Sequence, residues 1–270
     1  MIGRQTGAIH LGQPVNWASP LNRGLVSWWL AIPQGAYFGG ARFLDLCGRN
    51  HGTLTNAPTW GGAKGRPGGW GSLSFVKASI QYATHTRPFS AVDAFSVSMW
   101  LCPTATPGDF DGLWGLWDSD NNQFARWNGG GIQWFASNSA NTATANITTS
   151  AITVNAWQHL VFVADGSDLR CYVNGVAGAT AALTGPYIPG TGGTTWEIGK
   201  ARSLPTDITV DDFAYHNRAL SAADAVALWN ESSRFRPTTL NRIRMPLVGT
   251  AGAAPANTKR RDLMLLGVGC

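Results

Sequence analysis

The chain has 270 residues, of which 44% are hydrophobic and 13 are tryptophan, but only 13% are charged, about half the usual share. Its formal charge of +5 belongs to the C-terminal end: residues 1–233 hold 13 Lys/Arg against 14 Asp/Glu, and residues 234–270 hold seven basic residues against one acid. A neutral body excludes nucleic-acid binding by its surface, and the want of a long apolar run excludes a membrane span and a membrane partner.

Taken in chain order, residues 1–23 read as a Pro/Asn-punctuated arm without the apolar core of a signal peptide. The expectation is therefore a protein of the cytosol, or of a virion assembled inside a cell and released by lysis. Gly24 to Trp29 reads as an opening strand. Asp45 to Leu54 (DLCGRNHGTL) is a polar loop with two glycines. Phe95, Val97, Met99 and Leu101 alternate as a strand does, and so do the apolar residues of 157–163 and 169–173. Residues 108–150 carry long strands around an Asn/Gly/Thr-rich insertion. Ile208, Val210, Phe213 and Tyr215 mark a last strand carrying Asp211 and Asp212. Ser221 with Asp224 three residues on is a helix start, a hydroxyl N-cap with an acid near the positive end of the helix dipole. Many short alternating strands and one helix near 221–230 predict an all-β, two-sheet antiparallel sandwich.

Several segments, in order over about residues 24–230, resemble the laminin-G-like, concanavalin A-type jelly roll. These are Gly24–Trp29, Asp45–Leu54 (with Cys47 where Ser is usual), Phe95–Leu101, Trp157–Val163, Leu169–Gly175 and the closing strand with its Leu-Ser helix. The resemblance implies a concanavalin A-like jelly roll over 24–232, flanked by an N-terminal arm (1–23) and a basic C-terminal tail (233–270). A fold alone carries no function.

The resemblance also implies a Ca²⁺ ion between the Asp45–His51 loop and the strand at Asp211. Asp45, Asn50 and Asp211 are the candidate oxygen ligands. The plain alternative is a turn, closed by Asp45 with Gly48 and Gly52 at positive φ.

Catalytic relatives of the fold use paired carboxylates, typically two Glu separated by one residue. This chain has two Glu in all, Glu197 and Glu231, far apart in sequence. Glycoside hydrolysis needs two carboxyl groups facing one bond. Adjacent strand residues point to opposite faces, so Asp211 and Asp212 cannot be that pair. The expectation is therefore a protein without enzymatic activity.

Sugar binding asks for an exposed aromatic platform beside amides. Trp114, Trp117, Trp127 and Asn128 are the candidates, against the alternative that strand tryptophans face the interior. Cys47, Cys102, Cys171 and Cys270 show no metal spacing. Those in strands read as buried small hydrophobes, and sequence does not pair them.

The tail holds Arg234, Arg236, Arg242, Arg244, Arg260 and Arg261 among prolines and ends on the apolar run Leu263 to Val268. Too poor in apolar residues to fold alone, it reads as a partner-binding fastener. Arm, jelly roll and Arg/Pro tail together resemble jelly-roll proteins of tailed bacteriophages. That resemblance implies a virion structural protein, a capsid decoration (cement) or a head- or tail-associated component, whose partners are the major capsid protein, other virion proteins and further copies of itself. The alternative reading is a carbohydrate-binding adhesin with a glycan partner, and a third is a glycan-degrading enzyme.

Overall fold

A computed structural model of the chain describes residues 15–31, 41–61, 71–88, 90–116, 123–140, 142–187 and 195–230. The expected N-terminal arm up to residue 14 and the tail from residue 231 lie outside the described residues.

The strands are, in chain order, β1 (Leu25–Trp29), β2 (Arg42–Phe43), β3 (Gly52–Thr55), β4 (Thr59–Trp60), β5 (Leu73–Phe75), β6 (Tyr82–Thr86), β7 (Phe95–Pro103), β8 (Gly112–Leu116) and β9 (Gln123–Asn128). They continue with β10 (Gly131–Ser137), β11 (Thr144–Thr148), β12 (Gln158–Ala164), β13 (Asp168–Val173), β14 (Val176–Ala182), β15 (Thr195–Ile198), β16 (Lys200–Ala201), β17 (Leu204–Pro205) and β18 (Ile208–His216). One helix follows, α1 (Ala222–Trp229). The first large sheet runs β14-β13-β12-β7-β18-β5-β4, with β1 also pairing β18, and the second runs β11-β10-β9-β8-β15-β6-β3-β2. All their pairings are antiparallel, and β16 and β17 form a separate small hairpin. This is the two-sheet jelly-roll sandwich that the alternating strands predict.

Alternation decides what enters the core. Phe95, Val97, Met99 and Leu101 of β7 meet Leu160 and Phe162 of β12 and Phe213 and Tyr215 of β18 in one cluster. From the second sheet the same cluster takes Trp114, Trp127, Ile132, Trp134, Trp196 and Ile198. Trp114 stacks on Trp196 with ring planes 19° apart, and Phe95 meets Trp134 edge-on. Each such ring buries a large apolar area, and offset and edge geometries add to its contribution.

The outer face of the first sheet is also covered. Val161, Val163 and Tyr172 pack beneath Leu21, Leu220, Ala225 and Leu228, and Val15, Leu25, Trp28 and Leu30 gather around Ala214. With both faces buried, β7, β12 and β18 are buried along their whole length. Residues 15–23 therefore belong to the domain body, a correction to the arm read as 1–23. A short 3-10 turn at Pro20–Asn22 sets Leu21 on the sheet, and the Arg218 guanidinium donates to the Pro20 and Arg23 carbonyls.

The helix starts as its residues predict. Ser221 Oγ accepts from the Asp224 N–H, and the Asp224 carboxylate accepts from the Ser221 N–H, a reciprocal capping box. Arg218 adds an ion pair to Asp224 at 2.8 Å. Replacing Ser221 by Ala should cost about 1 kcal/mol. It should lower the melting temperature by roughly 2–4 °C, as differential scanning calorimetry would read it, for a domain of this size.

His85 is one of the titratable groups sealed in the core. His85 of β6 packs against Trp29 at 4.5 Å and Tyr215 at 5.5 Å, and its Nδ1 lies 2.8 Å from the Thr86 carbonyl. Burial lowers its pKa to about 4, against which the Thr86 bond acts only weakly. Below its ordinary pKa of about 6.5 the unfolded chain holds a proton that the native His85 refuses until about 4. The unfolded state binds more protons in that window, so native stability rises with pH across it and is lost as pH falls. His85→Asn should flatten the dependence of the urea midpoint on pH between about 6.5 and about 4, by at most about 3 kcal/mol over the window.

Candidate functional site

The loop expected to hold calcium is built around a different donor set. Asp45 is buried, and its Oδ1 accepts from the Trp28 N–H at 2.7 Å and the Cys47 N–H at 2.9 Å. Its Oδ2 accepts from the Arg49 N–H at 3.2 Å and the Asn50 N–H at 3.0 Å. Four N–H donors fill the four lone-pair positions of a carboxylate. Asn50 is spent as well, with Oδ1 accepting from the Thr86 N–H and Nδ2 donating to the Thr86 carbonyl. Asp211 Oδ1 accepts from the N–H groups of Ala31 and Asp212. Both carboxylate oxygens of Asp45, the amide oxygen of Asn50 and Oδ1 of Asp211 are thus already occupied by N–H donors. Among the described residues no group of three or more His, Cys, Asp or Glu is placed to hold a metal.

The alternation argument at Asp211 and Asp212 also needs correction. Strand β18 is bulged there, with Asp212 at φ 53 and the register against β7 shifted between Asp211 and Ala214. A bulge interrupts the two-residue period. Both acids consequently serve β1 and its continuation, Asp212 by accepting from the Trp28 indole N–H and Asp211 from Ala31. Asp45→Ala would leave buried N–H groups without acceptors, each costing on the order of 1–3 kcal/mol. We expect a loss of about 3 kcal/mol or more in urea denaturation, whereas calcium or a chelator should leave the wild-type melting temperature unchanged.

The expected tryptophan platform is likewise not at the surface. Trp114 is fully buried, and Trp127 is buried with its indole N–H on Thr206 Oγ1 at 2.9 Å. Both face the core because Ala125 and Trp127 are the inward positions of β9. Trp117 lies outside the described residues, as do Arg234, Arg236, Arg242, Arg244, Arg260, Arg261 and Cys270. Among the described residues Cys47, Cys102 and Cys171 form no disulfide with one another, and the latter two are buried.

The outward positions of β9 are Phe124, Arg126 and Asn128, so Asn128 does share a face with a polar-aromatic cluster. Phe124 stacks on Phe135 of β10, centroids 4.9 Å apart and planes 10° from parallel. The Arg126 guanidinium lies 4.5 Å from the Phe110 centroid and 4.7 Å from that of Phe135. Its Nε and Nη2 donate to Gln133 Oε1 at 3.1 and 2.9 Å, and Gln133 is itself held by Asn146. Phe110 is 48% exposed and sits at φ 75, a backbone region uncommon for a bulky residue. Among the described residues no element covers this face as residues 15–23, β1 and α1 cover the first sheet's outer face.

Next to the cluster is a cleft of about 380 Å³ lined by Gly115, Leu116, Thr195, Glu197, Arg202 and Ser203. The β16–β17 hairpin brings Arg202 there, with its guanidinium 5.9 Å from the Phe124 centroid. The hairpin can lie against β8 because Gly112 has no side chain: a Cβ would overlap the Ala201 backbone. Opposite, Glu197 pairs with Lys200 at 2.8 Å, and the Lys200 ammonium lies 3.7 Å from the Tyr82 centroid. In the sequence the phenylalanines and Arg202 carry no mark of their own, because tryptophan picks out the inward parity. Phe124-x-Arg126-x-Asn128 was the available signal.

These features define a lectin-type jelly roll with one sheet face open and polar. The chain belongs to the Laminin_G_3 family of the Concanavalin A-like lectin/glucanases superfamily, whose family model matches residues 77–225. No curated protein sequence matches it. Solved structures share its fold. The binding domain of Paraclostridial Mosquitocidal Protein 1 superposes with a TM-score of 0.59 at 16% identity, over 78% of this chain and 53% of that one. The binding domain of Botulinum Neurotoxin DC in complex with SialylT gives 0.57 at 12%, over 78% and 52%. The Trypanosoma rangeli sialidase gives 0.53 at 14%, over 76% and 32%. This chain spans about half the length of the toxin binding domains. Likeness at such identity is a likeness of fold. Among the described residues no helix is long and apolar enough to cross a membrane.

Proposed function

We propose that the domain is a non-enzymatic carbohydrate-binding module, the working part of an adhesin, and that it takes its glycan on the outer face of the second sheet. The observation that carries this reading is the exposed Phe110 ring, held beside Arg126, Gln133 and Asn146 and next to the polar cleft. Aromatic faces stack on the apolar faces of sugars, and amides and guanidinium groups bond hydroxyls. A toxin binding domain of the same fold was solved in complex with SialylT, which supports the same class of role.

The carboxylates favour binding over hydrolysis. Asp207 accepts from the Lys77 N–H and Asp111 from the Lys77 ammonium, Asp109 accepts from Gly129, and Glu197 is paired with Lys200. None of these leaves two carboxyl groups facing a shared open space, as glycoside hydrolysis requires. The virion reading, with capsid and self-association partners, rests on the terminal segments, which lie outside the described residues; the geometry of the body supports the glycan reading better.

A glycan array probed with the full chain should show binding, and Phe110→Ala should weaken it roughly 3- to 10-fold, the worth of one stacked ring. The melting temperature should not move, since the ring is half exposed. Binding that ignores the substitution would place the glycan elsewhere.

A further inference from the structure

Arg126 is a half-buried cation with no carboxylate partner among the described residues: it bonds an amide oxygen and packs on aromatic rings. Its nearest charged neighbour in electrostatic effect is a second guanidinium. Burial first, and then the like charge of Arg202, depress the pKa of Arg126 from its ordinary value. Two like charges sharing the Phe124 ring are an arrangement that an anion between them would relieve.

The backbone points the same way. Arg202 and Ser203, both lining the cleft, sit at φ 54 and φ 65 at the tip of the β16–β17 hairpin. A two-residue turn of that kind favours Asn-Gly. Holding residues with side chains there costs on the order of 1–3 kcal/mol each, and such strain gathers at ligand clamps. Among the described residues that line the cleft the acid is Glu197, and it is paired with Lys200.

We propose that Arg126 and Arg202 form an anion subsite of this face, and that the glycan it takes carries a carboxylate, as uronic and sialic acids do. This rests on the carbohydrate-binding reading above and adds the ligand's charge. Gln133, anchored by Asn146, fixes the Arg126 fork through Nε and Nη2. Its Nη1 makes no hydrogen bond among the described residues, and guanidinium forks match carboxylates in geometry. Phe110 offers a stacking face beside that charge. A single-stranded nucleic acid fits less well. It needs a basic groove along its phosphates and a row of free rings, whereas residues 1–233 carry one more acid than base and Phe124 is fully buried.

The test is calorimetric titration of the full chain with matched pairs: trigalacturonic acid against its methyl ester, and sialyllactose against lactose. An oligoribonucleotide serves as the competing polyanion. We expect at least one acid to bind, its neutral counterpart to bind at least about tenfold more weakly, and high salt to weaken the acid. Arg202→Ala, at an exposed turn, and Arg126→Lys, which keeps charge but loses the fork, should each lose about tenfold or more. Melting curves report folding of both, and if Arg126→Lys is unfolded Arg202→Ala decides. Equal binding of acid and neutral partner, or acid binding untouched by the variants, would overturn the subsite while leaving the carbohydrate reading standing. No binding to any sugar on the array would remove that reading and the subsite with it. Binding of the oligoribonucleotide alone would overturn both.

Discussion

Three buried carboxylates hold the opening strand to the rest of the sandwich. Asp45 takes the Trp28 N–H, Asp212 the Trp28 indole N–H and Asp211 the Ala31 N–H. They come from two places far apart in sequence, the loop after β2 and the bulge of β18. Buried charges are stable only when their oxygens are met by donors, and here the donors are amides that a short strand would otherwise leave unpaired. Pinning β1 in this way sets Trp29 into the core beside Phe213, Tyr215 and His85. It also sets Trp28 and Leu30 over Ala214 on the outer side. The same residue types that suggested a cation therefore do the work of one, joining loop to strand through hydrogen bonds.

That fastening makes the two sheets unequal. The first is roofed by residues 15–23, β1 and α1, and so has apolar residues on both faces. The second is roofed by nothing comparable among the described residues, and its outward positions are Thr, Asn, Gln, Arg and Phe. The two sheets share one core, so the roof on the first sheet steadies both, while the chemistry of the other face is set by its own outward residues.

On the open face, geometry rather than composition creates the site. Phe124 and Phe135 are stacked and covered, so they serve as the floor, and Phe110 is the ring presented to solvent. The close approach of Gly112 to Ala201 and the β16–β17 hairpin set Arg202 beside the Phe124 ring that Arg126 also borders, across a distance in sequence that no local pattern encodes. Cation–π contacts of this kind hold a guanidinium in place while leaving its N–H groups available.

The sequence by itself determined the class of fold. Alternation at Phe95–Leu101, 158–164 and Ile208–Tyr215, the capping pair Ser221 and Asp224, and the order of the segments led to a two-sheet sandwich with one helix, because those signals are local and periodic. It also singled out Asp45 and Asp211, and it left turn and cation both open at the Asp45 loop. What these carboxylates hold was decided by tertiary structure, since their long-range donors are the N–H groups of Trp28 and Ala31, and backbone amides look alike in any sequence. The parity of β9 was decided there too. A one-residue change of register exchanges core and surface, and tryptophan suits either side of a strand, so Trp114 and Trp127 gave no clue to which way they face. The Arg126–Arg202 pair depends on a hairpin lying over a glycine, a long-range packing event that residue type and spacing do not record.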